Sequence, residues 1–283
     1  MLQIRDTSSI FVQNMLAANT KNYNKSLSML ASGYRINKAS DDAAGLQISE
    51  SLRSQIRGSQ QADNNVQDAM NMLNTVDGSL STITENLQRV RELAVQGAND
   101  TLGTDQRSAI KTEMTQLIND IDRIANGTSF NGKNILSSFT TFKVQVGAES
   151  TSSTNVLDLA TNSAVGRLNA STLGVKAGTT PTVGASTNAS ALQSISKIDV
   201  ALQRVNNRRS SVGAVSNRLQ NASNNLKIQV ENFSASEARV RNVDVAKESA
   251  NLIKHQILQQ ASVNLMGQSN SQPSMALKLI GGN

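Results

Sequence analysis

The sequence predicts a mainly α-helical fold: a long antiparallel helical bundle or coiled coil with a small β-hairpin region. Two runs of heptad-spaced apolar residues, within 62–94 and 195–233, predict long helices packed side by side. Only 2% of the 283 residues are aromatic and 38% are hydrophobic, which favours narrow apolar faces over a broad globular core. Turn and strand signals over residues 128–175 predict the hairpins.

A predicted helix over residues 48–94 carries the strongest pattern. Side chains three and four residues apart share one helix face, so an unbroken apolar seam requires partner helices alongside. At 1.5 Å per residue this helix would measure about 70 Å, and we therefore expect a rod. The seam consists of Ala62, Val66, Ala69, Leu73, Val76, Leu80, Ile83, Leu87, Val90 and Ala94.

Two further seams supply the partners. Residues 104–126 predict a shorter helix, and in the run from 195 to 233 nine of twelve seam positions are apolar. The polar positions Arg209, Ser216 and Ser223 interrupt that run, and we expect them to fix the register of the bundle.

The middle of the chain predicts short strands. Asn131-Gly132 is typical of a hairpin turn, and alternating apolar residues predict a strand within 139–146. A weaker strand candidate is 156–159. Residues 174–191 are rich in Gly, Thr and Ser, and we expect an exposed loop there.

Amphipathic helices are predicted at both ends of the chain. A pair of such helices still leaves an apolar stripe exposed, so we expect the stripe to bind further copies of the chain. The predicted contact residues are Val12, Leu16, Tyr23, Leu27 and Leu30 near one end, and Ile253, Ile257, Leu265, Leu277 and Leu279 near the other.

Composition argues against an enzyme and against metal or cofactor binding. The chain has no cysteine and one histidine, His255, which excludes thiolate chemistry and multi-histidine zinc sites. No phosphate-binding loop or dinucleotide motif occurs. The carboxylate pair Asp41-Asp42 is better explained as a helix start capped by Ser40.

The charge pattern argues against nucleic-acid binding. The formal net charge of +6 is dispersed, and its densest cluster, Arg204, Arg208 and Arg209, lacks aromatic residues for base stacking. No run approaches the roughly 18 apolar residues of a membrane-spanning helix, so we expect no membrane insertion. The first residues lack the pattern of a secretory leader.

Four sequence motifs, in this order, resemble those of bacterial flagellins. They are Ser32-Gly33-Tyr34-Arg35-Ile36-Asn37 with Asp41-Asp42-Ala43-Ala44-Gly45-Leu46-Gln47-Ile48, Asn86-Leu87-Gln88-Arg89-Val90-Arg91-Glu92-Leu93-Ala94-Val95-Gln96, Thr128-Ser129-Phe130-Asn131-Gly132, and Gln256-Ile257-Leu258-Gln259-Gln260-Ala261. The resemblance covers residues 1–140 and 190–283. The stretch from 142 to 190 is too short for the large outer domains of the family, so a short form is implied.

This resemblance implies a structural subunit that polymerises into the extracellular flagellar filament for motility, after unfolded export through the flagellar type III channel. Residues 1–42 with 243–283 would form an inner-core terminal helix pair, and 43–242 an outer helical rod with its hairpins. The implied partners are further copies, the export chaperone, the filament cap and the hook-junction protein. A Toll-like innate immune receptor is implied by matches at Gln88, Arg89, Leu93, Gln96 and Glu113.

Two alternative functions stay open on the sequence. A hook–filament junction protein of the same family would form a short ring instead of long fibres. A cytoplasmic signalling coiled coil would explain the heptads but not the apolar termini.

Overall fold

The computed structural model describes residues 7–137, 142–150, 152–159, 165–178 and 180–280. Internal contacts divide the chain into two compact units. Unit 1 combines Met1–Ser54 with Asn232–Asn283, and unit 2 is Gln55–Glu231. Both divisions fall inside helices, whereas the sequence predicted boundaries after residues 42 and 242.

Unit 1 contains an antiparallel pair of helices, α1 (Thr7–Ser32) and α7 (Val245–Ile280). Hydrogen bonds between the two helices pair rising residue numbers on α1 with falling numbers on α7, which defines the antiparallel direction. The first helix ends at Gly33, as predicted, because the φ angle of +75° there is one that glycine adopts without steric cost. Helices α2 (Ala43–Gly97) and α6 (Asn188–Arg241) contribute one end each to this unit.

Unit 2 is built on α2, α6 and α3 (Thr104–Gly127), so the mainly α-helical prediction is confirmed. All ten positions of the predicted seam on α2 are buried. They share one continuous core with Ile110, Met114 and Ile121 of α3 and with apolar residues of α6. On α3 the most buried positions include Ile118, one residue beyond the predicted Leu117.

Two polar positions of the α6 seam meet acidic residues of α2. The guanidinium Nε of Arg209 lies 3.0 Å from Asp77 Oδ1, and the Ser223 hydroxyl donates to Asp63 Oδ1 at 2.5 Å. Asp63 and Asp77 are two heptads apart on α2, as are Arg209 and Ser223 on α6. A slip by one heptad would leave these groups without partners, which supports the predicted role in register.

The hairpin prediction is confirmed in the middle of unit 2. Strand β1 (Ser129–Phe130) pairs antiparallel with β2 (Lys133–Asn134) through the Asn131-Gly132 turn, whose φ angles of +48° and +73° suit a tight hairpin. Strand β3 (Lys143–Gln145) pairs with β4 (Val156–Asp158) after the short helix α4 (Ser152–Asn155). Part of the predicted strand within 139–146, including Phe139, lies outside the described residues.

The prediction of an exposed loop over residues 174–191 is wrong. The short helix α5 (Ala170–Leu173) leads into a third hairpin, β5 (Lys176–Ala177) with β6 (Thr180–Pro181). Val175, Val183 and Ala185 are buried in the core of unit 2. Each is a single apolar residue among Gly, Thr and Ser, so composition indicated a loop although these side chains contribute to the bundle core.

Among the described residues, no helix combines the length and apolar character needed to cross a membrane. The same part of the chain contains no group of three or more His, Cys, Asp or Glu side chains arranged to hold a metal ion.

Candidate assembly surface

The interior of the α1–α7 pair is polar. Asn19 donates from Nδ2 to the Ser262 hydroxyl at 3.0 Å, and Gln259 donates from Nε2 to the Thr20 hydroxyl at 3.2 Å. Ser262 is only 6% exposed. A hydrogen bond between neutral groups adds about 1 kcal/mol net to stability. The pair therefore gains little from burial of apolar area between its own helices.

The large apolar side chains of the same helices are exposed instead. Phe11 on α1 is 64% exposed, and Ile257 and Leu265 on α7 are 63% and 58% exposed. An apolar set of this size on one unit is typical of an interaction site. We call it the apolar surface, and it comprises Ile10, Phe11, Met15, Leu27, Val245, Ile253, Ile257, Leu258, Val263 and Leu265.

The predicted contact residues fall into two groups. On α1, the partly buried ones are Val12, Leu16, Tyr23 and Leu30. The exposed ones, which belong to the apolar surface, are Leu27, Ile253, Ile257 and Leu265. The side chains of Leu277 and Leu279 lie outside the described residues.

Sequence reasoning missed part of the apolar surface. Phe11 and Met15 are four residues apart and therefore share a face of α1. This second apolar stripe is visible in the sequence, but it lies beside the stripe that begins at Val12. On α7, Leu258 and Val263 were missed in the same way.

The motif segment that follows α1 ties the two chain ends of unit 1 together. The Arg35 N–H donates to the carbonyl oxygen of Arg241 at 2.7 Å. The Arg241 guanidinium lies 4.8 Å from the centroid of the Tyr34 ring, and its Nη1 pairs with Glu50 at 2.8 Å. The side-chain hydrogen bond from Arg241 holds the pKa of Glu50 below its usual range.

Asp42, and not the predicted Ser40, caps helix α2. Its Oδ1 accepts the Gly45 N–H at 2.9 Å, which satisfies one of the free N–H groups of the first turn. The reason is positional: the helix begins at Ala43, so Asp42 stands directly before it. A Cβ on Gly45 would clash with the Asp42 carboxylate and would lie 2.7 Å from Cδ1 of the buried Ile36.

Substitution of Gly45 tests this close packing. Gly45→Ala is expected to displace the Asp42 cap and to destabilise unit 1 by about 1 kcal/mol. The chain has no tryptophan and only two tyrosines, Tyr23 and Tyr34, so tyrosine fluorescence during urea unfolding reports on unit 1 alone. Gly78→Ala is the matched control, since a Cβ there meets open space in the same helix. It should stabilise helix α2 by roughly 0.5–1 kcal/mol.

Asp41 supplies a second anchor of the motif segment. Its Oδ1 lies 3.0 Å from Lys25 Nζ of α1, and its Oδ2 accepts the Lys38 N–H at 3.1 Å. The hydrogen bond from Lys25, together with those from the backbone, lowers the pKa of Asp41 below its ordinary value of 3.8. The ionised form is therefore the one that the folded state favours.

Unit 1 is expected to lose stability in acid because of this interaction. A carboxyl group with a lowered pKa stabilises the fold above its ordinary pKa, and the contribution disappears as the pH falls through the folded value. The tyrosine-detected unfolding midpoint should decrease below about pH 4. Asp41→Asn should already lower the midpoint at pH 7 and flatten the acid limb. Asp68→Asn, an exposed site on α2 in unit 2, should leave both unchanged; an unaltered acid limb in Asp41→Asn would contradict the assignment.

The predicted receptor-contact residues are brought together only in part. Arg89 Nη2 pairs with Glu113 of the neighbouring helix at 2.9 Å, and Gln88 and Gln96 are exposed on the same stretch of α2. Leu93 is 2% exposed and belongs to the core, so its predicted place on this face is wrong. It lies one residue before the seam position Ala94, where α2 is covered on two sides.

Comparisons with known proteins agree with this architecture. A sequence profile of the bacterial flagellin N-terminal helical region matches residues 6–141, and one of the bacterial flagellin C-terminal helical region matches residues 195–280. The flagellar filament 33 kDa core protein of Treponema phagedenis is 34% identical over 99% of this chain and 100% of its own. A flagellin of Halalkalibacterium halodurans is 40% identical over 90% of this chain and 91% of its own. A crystal structure of Bacillus cereus flagellin is 30% identical, with a TM-score of 0.48 over 62% of this chain and 94% of that one.

The fold and the matches at both chain ends define a helical protein of the flagellar filament class. The chain belongs to the bacterial flagellin family, and the predicted function of a structural filament subunit is confirmed at that level. The relatives are named flagellin or flagellar filament core protein. These names support the filament subunit over the junction protein and over the cytoplasmic signalling coiled coil.

Proposed function

We propose that copies of this chain polymerise by covering the apolar surface of α1 and α7. The observation that carries this proposal is the reversed polarity of unit 1, in which hydrogen-bonded polar groups lie between the helices and large apolar groups lie outside. Removal of one Ile or Leu side chain from water contributes roughly 1.5–3 kcal/mol. Several such contacts per subunit stabilise a polymer more than they stabilise the isolated pair.

The same polarity couples assembly to folding of the terminal helices. A helix pair with little internal apolar burial is weakly held when alone, and contacts with neighbouring copies stabilise the ordered state by mass action. Unit 2, with its continuous apolar core, folds independently of assembly. The role proposed for the chain is thus structural and not catalytic.

Polymerisation of the purified chain tests the proposal. At high concentration, with sheared filaments added as seeds, electron microscopy should show long fibres. A short ring would instead indicate the hook–filament junction protein. The extracellular location follows from the same function, and the chain should be recovered from shed filaments of the culture medium and not from the cytoplasm.

The export chaperone, the filament cap and the hook-junction protein are proposed to engage the same terminal helices. Ile253, Ile257 and Leu265 would be exposed to water in a subunit that has not yet assembled. A chaperone that covers them would prevent premature polymerisation and would hold the chain ready for unfolded export. Addition of a peptide covering α7 should therefore inhibit the seeded growth of fibres, and a peptide covering α3 should not.

A Toll-like innate immune receptor is proposed to contact unit 2 at Gln88, Arg89, Gln96 and Glu113. The Arg89–Glu113 ion pair fixes the side chains of two adjacent helices in one exposed patch. Receptor-bearing reporter cells should respond to the purified monomer, and Arg89→Ala should reduce the response. Arg123→Ala, which removes an equally exposed arginine of α3, is the control; equal responses to both variants would refute this contact.

A further inference from the structure

Unit 2 contains a cavity of about 390 Å³ between α6, α5 and the chain segment that precedes α5. Its charged lining consists of Arg167, Arg204 and Arg208. Arg204 and Arg208 are four residues apart on α6 and therefore share a helix face. Thr172 and Asn207 add neutral polar groups, and no Asp or Glu is among the described residues that line it. We call this cavity the arginine pocket.

The arginines of the pocket are oriented by backbone carbonyls. Arg204 Nη1 donates to the Thr172 carbonyl oxygen at 2.5 Å, and Arg208 Nη1 donates to that of Val165 at 3.1 Å. Arg167 Nε lies 3.4 Å from the carbonyl oxygen of Ser137. A carbonyl orients a guanidinium without cancelling its charge. Since a guanidinium has five N–H donors, the bonds recorded for Arg204 and Arg167 leave donors available for a ligand.

Other arginines of unit 2 differ from these in a consistent way. Arg89, Arg91 and Arg209 each pair with a carboxylate of a neighbouring helix at 2.9, 2.7 and 3.0 Å. Such pairs neutralise the charge within the fold. Within the described residues, none of the ion pairs involves an arginine of the pocket. The positive charge of the pocket is therefore concentrated where a cavity is also present.

Burial adds an electrostatic reason for an anion at this place. Removal from water lowers the pKa of the Arg208 guanidinium, because the charged form loses hydration. An anion in the pocket would offset this cost with a direct charge–charge interaction and with charge-assisted hydrogen bonds.

We propose that the arginine pocket binds a tetrahedral oxyanion, the phosphate or sulfate group of a small ligand. Guanidinium groups suit this class because their planar forks donate two parallel hydrogen bonds to oxyanions. Two sources share the chemistry: the free inorganic ion, and a sulfate ester on an extracellular sugar. The cavity is large enough to leave room beside the oxyanion for part of a sugar ring.

Calorimetric titration of the purified full-length chain tests the proposal. Sodium phosphate and a sulfated disaccharide are the two probes, each titrated at constant ionic strength. Saturable binding is expected, and Arg204→Gln should weaken it at least about tenfold, as for loss of a charge-assisted hydrogen bond. Arg123→Gln removes the same charge from an exposed site of α3 and should bind like the unaltered chain.

The remaining variants separate binding from folding. Arg204→Lys keeps the charge but not the fork, so it should also bind more weakly than the unaltered chain while its circular dichroism and unfolding midpoint are unchanged. Tighter binding of the disaccharide than of phosphate would support the sulfate ester as the source, and the reverse would support the free ion. Absence of saturable binding of both probes, or an equal loss in Arg204→Gln and Arg123→Gln, would overturn the proposal.

Discussion

Ile257→Asp and Leu265→Asp are each expected to abolish seeded polymerisation while unit 2 remains folded. Both side chains belong to the apolar surface, and both are more than half exposed in the single chain. Their replacement therefore costs the monomer little. In a polymer, however, the new carboxylate would be buried among apolar groups, and burial of an unpaired charge costs several kcal/mol per contact.

Fibre mass after seeding, measured by sedimentation and electron microscopy, is the readout. The helical circular dichroism and urea midpoint of unit 2 should match those of the unaltered chain. Ile257→Met and Leu265→Met preserve an apolar group of similar volume, and they should still form fibres. Fibres of normal length from either aspartate variant would show that these positions remain outside the subunit contacts.

Leu80→Ala is expected to destabilise unit 2 by about 3 kcal/mol, within the range of roughly 2–5 kcal/mol for a buried leucine. Leu80 is fully buried in the seam of α2, so its truncation leaves a cavity that the surrounding helices fill only in part. Urea unfolding followed by circular dichroism measures the change. Leu192→Ala is the matched control because that leucine of α6 is exposed; its effect should stay within about 0.5 kcal/mol. Equal losses in the two variants would contradict the assigned core.

The seam of α2 could be predicted because one helix carries the whole signal. From Ala62 to Ala94 every seam position is apolar, and every one of them is buried. Leu93 shows the limit of this reasoning. A heptad pattern describes one contact face, whereas the burial of Leu93 depends on a second neighbour of the helix, whose position is set by the tertiary fold.

The polarity of unit 1 shows a different limit. Apolar periodicity correctly selected Ile253, Ile257 and Leu265 as contact residues in need of a cover, but it does not indicate which helix provides that cover. The fold places Ser262 and Gln259 between α1 and α7 instead. The exposed loop predicted over residues 174–191 failed for a related reason, since Val175 and Val183 are isolated apolar residues whose burial depends on distant helices.

The arginine pocket could be predicted from the sequence only in part. Arg204 and Arg208 form a visible pair on one helix face, but Arg167 is brought beside them by the turns that precede α5. Charge density alone could not separate these arginines from Arg209, which pairs with Asp77. The carboxylate partner, or its replacement by a backbone carbonyl, is a property of the folded chain.

Amide hydrogen exchange, compared between monomer and polymer, tests the central claim most directly. The claim is that the apolar surface of α1 and α7 lacks a cover until other copies supply one. In the monomer, amides of α1 and α7 should exchange much faster than those of α2 within unit 2, and polymerisation should slow the former while the latter change little. Full protection of α1 and α7 in the dilute monomer, unchanged in fibres, would contradict the account.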